Sequence, residues 1–420
     1  MRILVWHGYL LAGTGSNVYT RELARTWSRQ GHDVVVLCQE PHPERYDLGG
    51  ARVVRPRIDG PLPVFVLDHY TDATPVRLPD MAVEDRRRFV EVNARAVRDE
   101  LPADFLLANH VLLGAPVGAA AGVPFVVKTH GSELEFAMRG HPELCRWAHE
   151  TLRAARAVIA GSRHVADVLD DVVGPGEHTP RRHIVPPGVD TAVLRPQDRP
   201  AALRALIAEC HRDVAPQTGT SDERAPDPGN ARRLADFLTG DAPTVVYVGK
   251  LSEEKGVTLL LEATRTLQAR TVVVGFGPLR ERLEARARPD VLFTGPLEHR
   301  HLAHLWPLAD VAVTPSVFPE AFGMVAAEAA SCGCPPLVAR HSGLAEIAAC
   351  IAAAYPPQHR SLVSFANNDV DDLRAKLAAL TALPRTEWRS LSRAARRAAV
   401  TQWGWDSVAN RLAAVAITSR

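Results

Sequence analysis

Two carboxylates eight residues apart, Glu320 and Glu328, bracket a small-residue turn in the run Thr314–Pro335, TPSVFPEAFGMVAAEAASCGCP. The turn, Ala321-Phe322-Gly323, opens a helix-forming run, Met324 to Ala330, and the apolar run Asp310 to Val313 ahead of it reads as a buried parallel strand. A helix entered through a glycine turn offers free N–H groups at Gly323, Met324 and Val325 together with the positive end of the helix dipole, which suits a phosphate. Glu320 is expected just outside that helix and Glu328 roughly two turns inside it. The pair can then hold two hydroxylated parts of one ligand, such as a sugar ring and a ribose. The chemistry this points to is that of a nucleotide sugar.

Six other stretches could touch such a ligand. Gly13-Thr14-Gly15 lies between the first strand and a helix over 18–30, where consecutive N–H groups can form an anion nest. A dinucleotide fingerprint would need a third glycine where Val18 stands, so a nicotinamide or flavin is not expected. Thr129-His130-Gly131-Ser132-Glu133 puts His130 at the carboxyl end of a parallel strand, aimed at whatever binds there. Val248 to Gly256 carries Lys250 and Lys255, two of only four lysines in an arginine-rich chain, beside Gly249. Cations at the start of a helix are disfavoured unless an anion joins them. Gly275-Phe276-Gly277-Pro278, Thr294-Gly295-Pro296-Leu297 and Ser342-Gly343-Leu344 are further turns after strands. Asp369-Val370-Asp371 spells a metal-binding pattern, yet acids in a first helical turn are ordinary capping chemistry and the lysines and helix dipole already supply positive charge. No metal is therefore expected. Cys332-Gly-Cys334 has no second pair to complete a metal or redox site, and the six cysteines read as reduced thiols.

The elements that must position these residues fall into two similar halves of strands alternating with helices. Strands are expected at 3–6, 34–38, 105–108, 125–128 and 157–160, then at 244–248, 271–274, 291–294, 311–314 and 336–339. Continuous apolar strands of this kind belong in parallel sheets covered on both faces. The length of 420 residues suits two domains, and 46% hydrophobic with 23% charged residues suits a soluble globular chain. A net charge of +1 gives no reason to expect nucleic acid. The chain enters a strand directly after Met1, and the most apolar stretch, 105–127, is interrupted by Asn109, His110 and Pro116, so neither a signal peptide nor a membrane span is expected and the location expected is cytoplasmic. The basic run Asp85-Arg86-Arg87-Arg88 leaves room for peripheral membrane contact but reads first as a solvated helix face. Residues 215–230 lack the composition to bury a core and are expected as a mobile surface loop without an assignable role.

Taken in order, these motifs resemble the retaining glycosyltransferases of the GT-B fold, family 4 (glycosyl transferases group 1). The run P-S-x-x-x-E-x-F-G-x-x-x-x-E-A-x-x-x-G carries most of the likeness, and the ordered series extends from Gly13 to the final helix. The family's G-R-L-x-x-x-K-G is matched with Lys250 in the arginine position, a point charge in place of a bidentate fork. The resemblance implies an α/β GT-B fold, two Rossmann-like doubly wound parallel-sheet domains facing across a cleft. It implies an acceptor-binding domain over 1–190, a linker with the inserted loop over 191–242, a nucleotide-sugar-binding domain over 243–400, and a helix over 401–420 crossing back to the first. It assigns Glu320 and His130 to the donor hexose, Glu328 to the ribose, Lys250 and Lys255 to the diphosphate, and backbone around Leu297 to the nucleobase. Gly13, Thr14, Gly15, Gly249, Phe322, Gly323, Met324 and Val325 complete the donor-binding set, and Arg139 and Arg163 are candidates for an anionic group on the acceptor. The implied reaction is metal- and cofactor-independent transfer of a hexosyl group from a nucleoside diphosphate sugar to an acceptor hydroxyl, with retention. Base, hexose, acceptor type and oligomeric state stay open. A nucleotide-sugar epimerase or hydrolase, or an inactive sugar-nucleotide-binding protein, are the alternatives.

Overall fold

The structure, a computed structural model, describes residues 1–11, 13–66, 74–213 and 225–419. The chain divides into two compact units, Met1–Gly188 with Trp405–Arg420, and Val189–Gly404.

The first unit is built on a parallel sheet of seven strands, β1 (Arg2–Trp6), β2 (Asp33–Leu37), β3 (Arg52–Val54), β6 (Phe105–Asn109), β7 (Phe125–Lys128), β8 (Ala157–Ala160) and β9 (Arg182–Ile184), in the order β3-β2-β1-β6-β7-β8-β9. β4 (Leu62–Val64) and β5 (Pro75–Arg77) pair separately. The crossovers are α1 (Gly15–Arg29), α2 (Val83–Asp99), α3 (Gly114–Ala121), α4 (Pro142–Leu152) and α5 (Arg163–Val173). Successive side chains of a strand point to opposite faces. Ile3 and Val5 accordingly enter the layer containing Tyr19, Leu23 and Trp27 of α1, while Leu4 and Trp6 enter the layer containing Phe89 and Val90 of α2.

The second unit carries a six-stranded parallel sheet, β10 (Thr244–Val248), β11 (Arg270–Val274), β12 (Val291–Phe293), β13 (Val311–Thr314), β14 (Pro336–Ala339) and β15 (Ser364–Phe365), in the order β12-β11-β10-β13-β14-β15. Its helices are α6 (Arg199–Cys210), α7 (Asn230–Phe237), α8 (Val257–Thr264), α9 (Arg280–Glu284), α10 (His299–Leu305), α11 (Met324–Ser331), α12 (Ser342–Ala354), α13 (Val370–Thr381) and α14 (Arg385–Trp403). The last helix, α15 (Trp405–Thr418), returns to the first unit, where Trp405, Val408, Ala409 and Leu412 are buried beside α1.

Both sheets change direction of winding at one place. In the first unit the reversal lies between β1 and β6, in the second between β10 and β13. Loops leaving neighbouring strands there run to opposite sides and leave a crevice at the carboxyl edge.

Candidate functional site

In the second unit the crevice is lined by the loops after β10, β13 and β14. Lys255 follows β10 and Glu320 follows β13, and their side chains meet, Lys255 Nζ to Glu320 Oε1 at 2.5 Å. Ser316 Oγ donates to the same carboxylate oxygen at 2.5 Å. The Glu320 backbone N–H donates to Ser342 Oγ (2.9 Å), and its carbonyl accepts from the Gly343 N–H (3.0 Å), so the loop before α12 fixes the residue. Val317 and Phe318 donate their N–H groups to Glu254 O (2.9 and 3.2 Å), tying the β10 and β13 loops together. The Lys255–Glu320 pair is part-exposed and so contributes little stability by itself. Lys255 is thus held in place yet can be drawn to a stronger anion.

The N–H groups of Gly323, Met324 and Val325 have no hydrogen-bond partner among the described residues, and no side chain caps α11. Gly323 makes this entry, at φ +120°, where a Cβ would lie 2.6 Å from Leu344 Cδ2. Glu328 is buried in α11, with Oε1 3.2 Å from His299 Nε2 on α10. Since α11 begins at Met324, Glu328 stands just over one turn inside the helix, closer to the amide cluster than two turns would put it.

In the first unit the carboxyl ends of β1, β6 and β7 deliver three histidines, His7, His110 and His130. The His110 ring is 5.8 Å from that of His7 and 4.7 Å from that of His130. Asn109 Nδ2 donates to Trp6 O and Thr20 Oγ1, which leaves its Oδ1 to accept from His130 Nε2 at 2.7 Å. Burial, with His110, Lys128 and His7 nearby, holds the His130 pKa well below the ordinary histidine value. The ring is therefore neutral, protonated on Nε2, with Nδ1 an acceptor. Fully buried Glu133 organises the loop: it accepts from Thr129 Oγ1 (2.9 Å) and the N–H groups of His130 (3.1 Å) and Val111 (3.4 Å), and faces His110 Nδ1 (3.3 Å). Lys128 lies beneath them, its pKa pushed down to about 7 by burial, donating to Val185 O. His7 is pushed down to about 3, by burial first and then by His110.

One grouping among the described residues has metal-type donors, Cys210, Asp213 and His301. Its chemistry does not suit a cation. His301 Nδ1 already accepts from the Glu298 N–H (3.2 Å), and Nε2 lies 3.0 Å from Asp213 Oδ1 without a hydrogen bond to it. Arg300 already occupies that carboxylate at 2.5 Å, and burial pushes the Cys210 thiol up to about 11.

With this geometry in hand, known proteins supply the comparison. The model of "Glycosyltransferase Family 4" matches residues 13–193, and that of "Glycosyl transferases group 1" matches residues 242–382. Together the two models span most of the chain and mark it as a group 1, family-4-like glycosyltransferase. It is 27% identical, over 96% of its length and 94% of the relative's, to the MMP alpha-(1->4)-mannosyltransferase of Mycolicibacterium hassiacum. It is 28% identical to the D-inositol 3-phosphate glycosyltransferase of Acidothermus cellulolyticus, over 79% of this chain and 71% of that one. Among solved structures, HepE of Anabaena in complex with UDP-glucose superposes with a TM-score of 0.66 at 16% identity, covering 99% of this chain and 98% of that one. Sucrose-phosphate synthase of Thermosynechococcus elongatus gives 0.62 at 20%, covering 99% and 98%. These structures show the fold, a two-domain α/β GT-B architecture.

The structure of this glycosyltransferase brings together some of the residues singled out from sequence and leaves others apart. Glu320, Lys255, Phe322, Gly323, Met324, Val325 and Glu328 share the β13–α11 corner. Gly249 sits at the end of β10 with its N–H on Val274 O (3.0 Å), and Lys250 is exposed. Leu297 lies half-buried in the loop that leads to His299. Thr14 caps α1 beside Gly13 and Gly15, its side chain accepting from Asn17 N. Arg139 is already held by Glu135 (2.9 Å) and Asp171 (3.1 Å), so an acceptor anion would have to compete with two carboxylates, and the structure favours it as a surface ion-pair residue. Arg163 is exposed at the first position of α5. The Arg86–Arg88 run lies on α2, with Arg87 and Arg88 beside Glu84 and Asp85, as on a solvated face. No helix among the described residues is long and apolar enough to cross a membrane. None of the six cysteines is in a disulfide.

The expected loop at 215–230 is only partly addressed, because 214–224 lie outside the described residues. Residues 225–230 correct it: Asp227 and Asn230 are bonded to the β12 loop, and Asn230 is buried. Sequence reasoning passed over His7, His110, Glu133, Ser316 and His299. For the first two a signal was present, a polar residue directly after an apolar strand. Glu133 and Ser316 lay within quoted motifs without a role, and His299 gave no signal.

Proposed function

We propose that this glycosyltransferase moves a hexosyl group from a nucleoside diphosphate sugar to an acceptor hydroxyl, with retention and without a metal or cofactor. The observation that carries the reading is the α11 corner: three N–H groups at a helix start without a partner among the described residues, Glu328 one turn further in, and Lys255 on the adjoining loop. The amides and Lys255 take the diphosphate, Glu328 the ribose hydroxyls, and Glu320 a hydroxyl of the hexose. Diphosphate binding draws Lys255 from Glu320 and frees the carboxylate to accept from the sugar. His130, neutral with Nδ1 accepting, takes a sugar hydroxyl as donor. Arg139 and Arg163 remain the acceptor-side candidates. The relatives' printed activities and the UDP-glucose complex of HepE support a hexosyl donor.

In the transfer, the bond from the anomeric carbon to the phosphate oxygen breaks and the bond to the acceptor oxygen forms on the same face. The acceptor proton passes to the departing phosphate oxygen. The charge that grows on the leaving diphosphate is met by fixed amides and lysines, which stabilise the transition state more than the ground state.

Thermal-shift binding of UDP, GDP, ADP and TDP tests this, in wild type and Glu328→Ala, with and without EDTA. One nucleotide should raise the midpoint by a few degrees regardless of EDTA, and Glu328→Ala should remove most of the shift. No shift with any nucleotide would sink the reading. Sugar-nucleotide consumption at full rate without an acceptor would replace transfer by hydrolysis or epimerisation.

A further inference from the structure

The segment that leads into α7 makes contacts that phosphate and sugar binding leave unexplained. Asp227 donates its N–H to Thr294 O (3.2 Å), Asn230 Nδ2 donates to the same carbonyl (2.9 Å), and Arg233 donates to Phe293 O. The Asp227 carboxylate accepts from Arg280 and from Arg233 (3.2 Å). Thr294 begins the loop after β12, and Arg280 begins α9 at the end of the loop after β11. One residue therefore ties both loops, the β12 loop through its backbone N–H and the β11 loop through its carboxylate. The fit is close: a Cβ on Gly295 would lie 2.5 Å from Asp227 Oδ1, and Gly275 donates its N–H to Gly295 O at 2.9 Å.

These loops lie where a bound nucleoside would continue. On the reading proposed above, phosphates sit at the Gly323–Val325 amides and the ribose at Glu328. Glu328 touches His299, and His299 ends the loop carrying Thr294 to Leu297. Phosphate, ribose and base form one line, which leads from α11 past His299 to the β12 loop and its neighbour after β11. We infer that Asp227, through Arg280 and Thr294, sets the spacing of the two loops that flank the nucleobase and so determines which base the donor carries. Asp227 acts as a positioning residue without touching the base. Purines and pyrimidines differ by a whole ring, and backbone groups on the loops read the base edge, so a change in spacing acts on one base more than another. If the ion pair merely fixed α7 to the sheet, its loss would weaken every nucleotide alike.

Isothermal titration of UDP, GDP, ADP and TDP into wild type, Asp227→Asn and Arg280→Lys distinguishes the two. Asp227→Asn keeps the shape and the backbone bond to Thr294, and Arg280→Lys keeps the charge at α9, so each guards against misfolding of the other. Wild type should prefer one nucleotide, and in both variants that preference should narrow by about tenfold while the disfavoured nucleotides change by less than about twofold. An unchanged preference, or an equal loss for all four, would overturn the inference alone. A wild type that binds none would overturn the nucleotide reading on which it rests.

Discussion

At the scale of single residues, the two units place charge in contrasting ways. The second keeps Lys255 and Glu320 part-exposed and paired. The first buries Lys128 among histidines, and its amine pays in lost hydration. Folded Lys128 gives up its proton near pH 7, whereas in the unfolded chain it does so near 10.5. Between these values the unfolded chain holds more protons, so Lys128's contribution to stability improves as pH rises, by up to about 1.4 kcal/mol per pH unit. Cys38, pushed up by burial, works the other way above pH 9, the ordinary thiol value, so the clean window is pH 7 to 9. Lys128→Met should be more stable than wild type at pH 7, with the gap narrowing towards pH 9 in urea denaturation. A gap that does not change with pH would mean the amine is charged or accessible in the folded chain. Two histidines act in the same direction at lower pH: buried His7 and part-buried His130 stay neutral where unfolded histidines take up protons, so acid below about pH 6.5 should erode the first unit.

At the scale of elements, the binding role proposed for α11 rests on a first turn whose N–H groups have no partner among the described residues and on Gly323, which sets its direction. Gly323→Ala would force a Cβ against Leu344 Cδ2 (2.6 Å) and Ile347 Cδ1 (3.1 Å) at φ +120°. The expected result is a loss of nucleotide affinity of about tenfold or more with only about 1–3 kcal/mol lost in stability. Calorimetric titration beside a denaturation curve would check it, and unchanged affinity would remove the amides from the site. Such elements were largely legible in the sequence. Strands 125–128, 157–160, 244–248, 311–314 and 336–339 stand where continuous apolar runs placed them. The short strands β3, β9 and β15 at the sheet edges escaped notice, because two or three residues with charged or polar members leave no periodic signal. The α11 corner was legible through its glycine and carboxylates. The Lys255–Glu320 contact was not, since it depends on strand order placing β10 beside β13 across a long stretch of chain. The histidine group of the first unit escaped for the same reason, arising only when β1, β6 and β7 lie side by side.

At the scale of the whole molecule, the first unit is discontinuous in sequence: the chain leaves it at Gly188 and returns at Trp405. The closing helix is part of its core. Trp405 is buried edge-on against Tyr19, with ring centroids 5.4 Å apart, and Trp27 Nε1 donates to Ala409 O at 3.2 Å. Tyr19 in turn packs on His130, at 5.1 Å between rings. Removing the Trp405 side chain therefore leaves a cavity whose wall supports a candidate site residue. Trp405→Ala should cost about 3–5 kcal/mol, the usual range for a buried tryptophan. The loss belongs to the first unit, because Val408, Ala409 and Leu412 share the layer with α1 and β1. Hydrogen exchange should show lower protection in β1, β2 and α1 while β10, β11 and β13 keep theirs. Equal loss across both sheets would mean that the two units unfold as one, and undiminished protection in α1 would mean that α15 adds nothing to the core it completes.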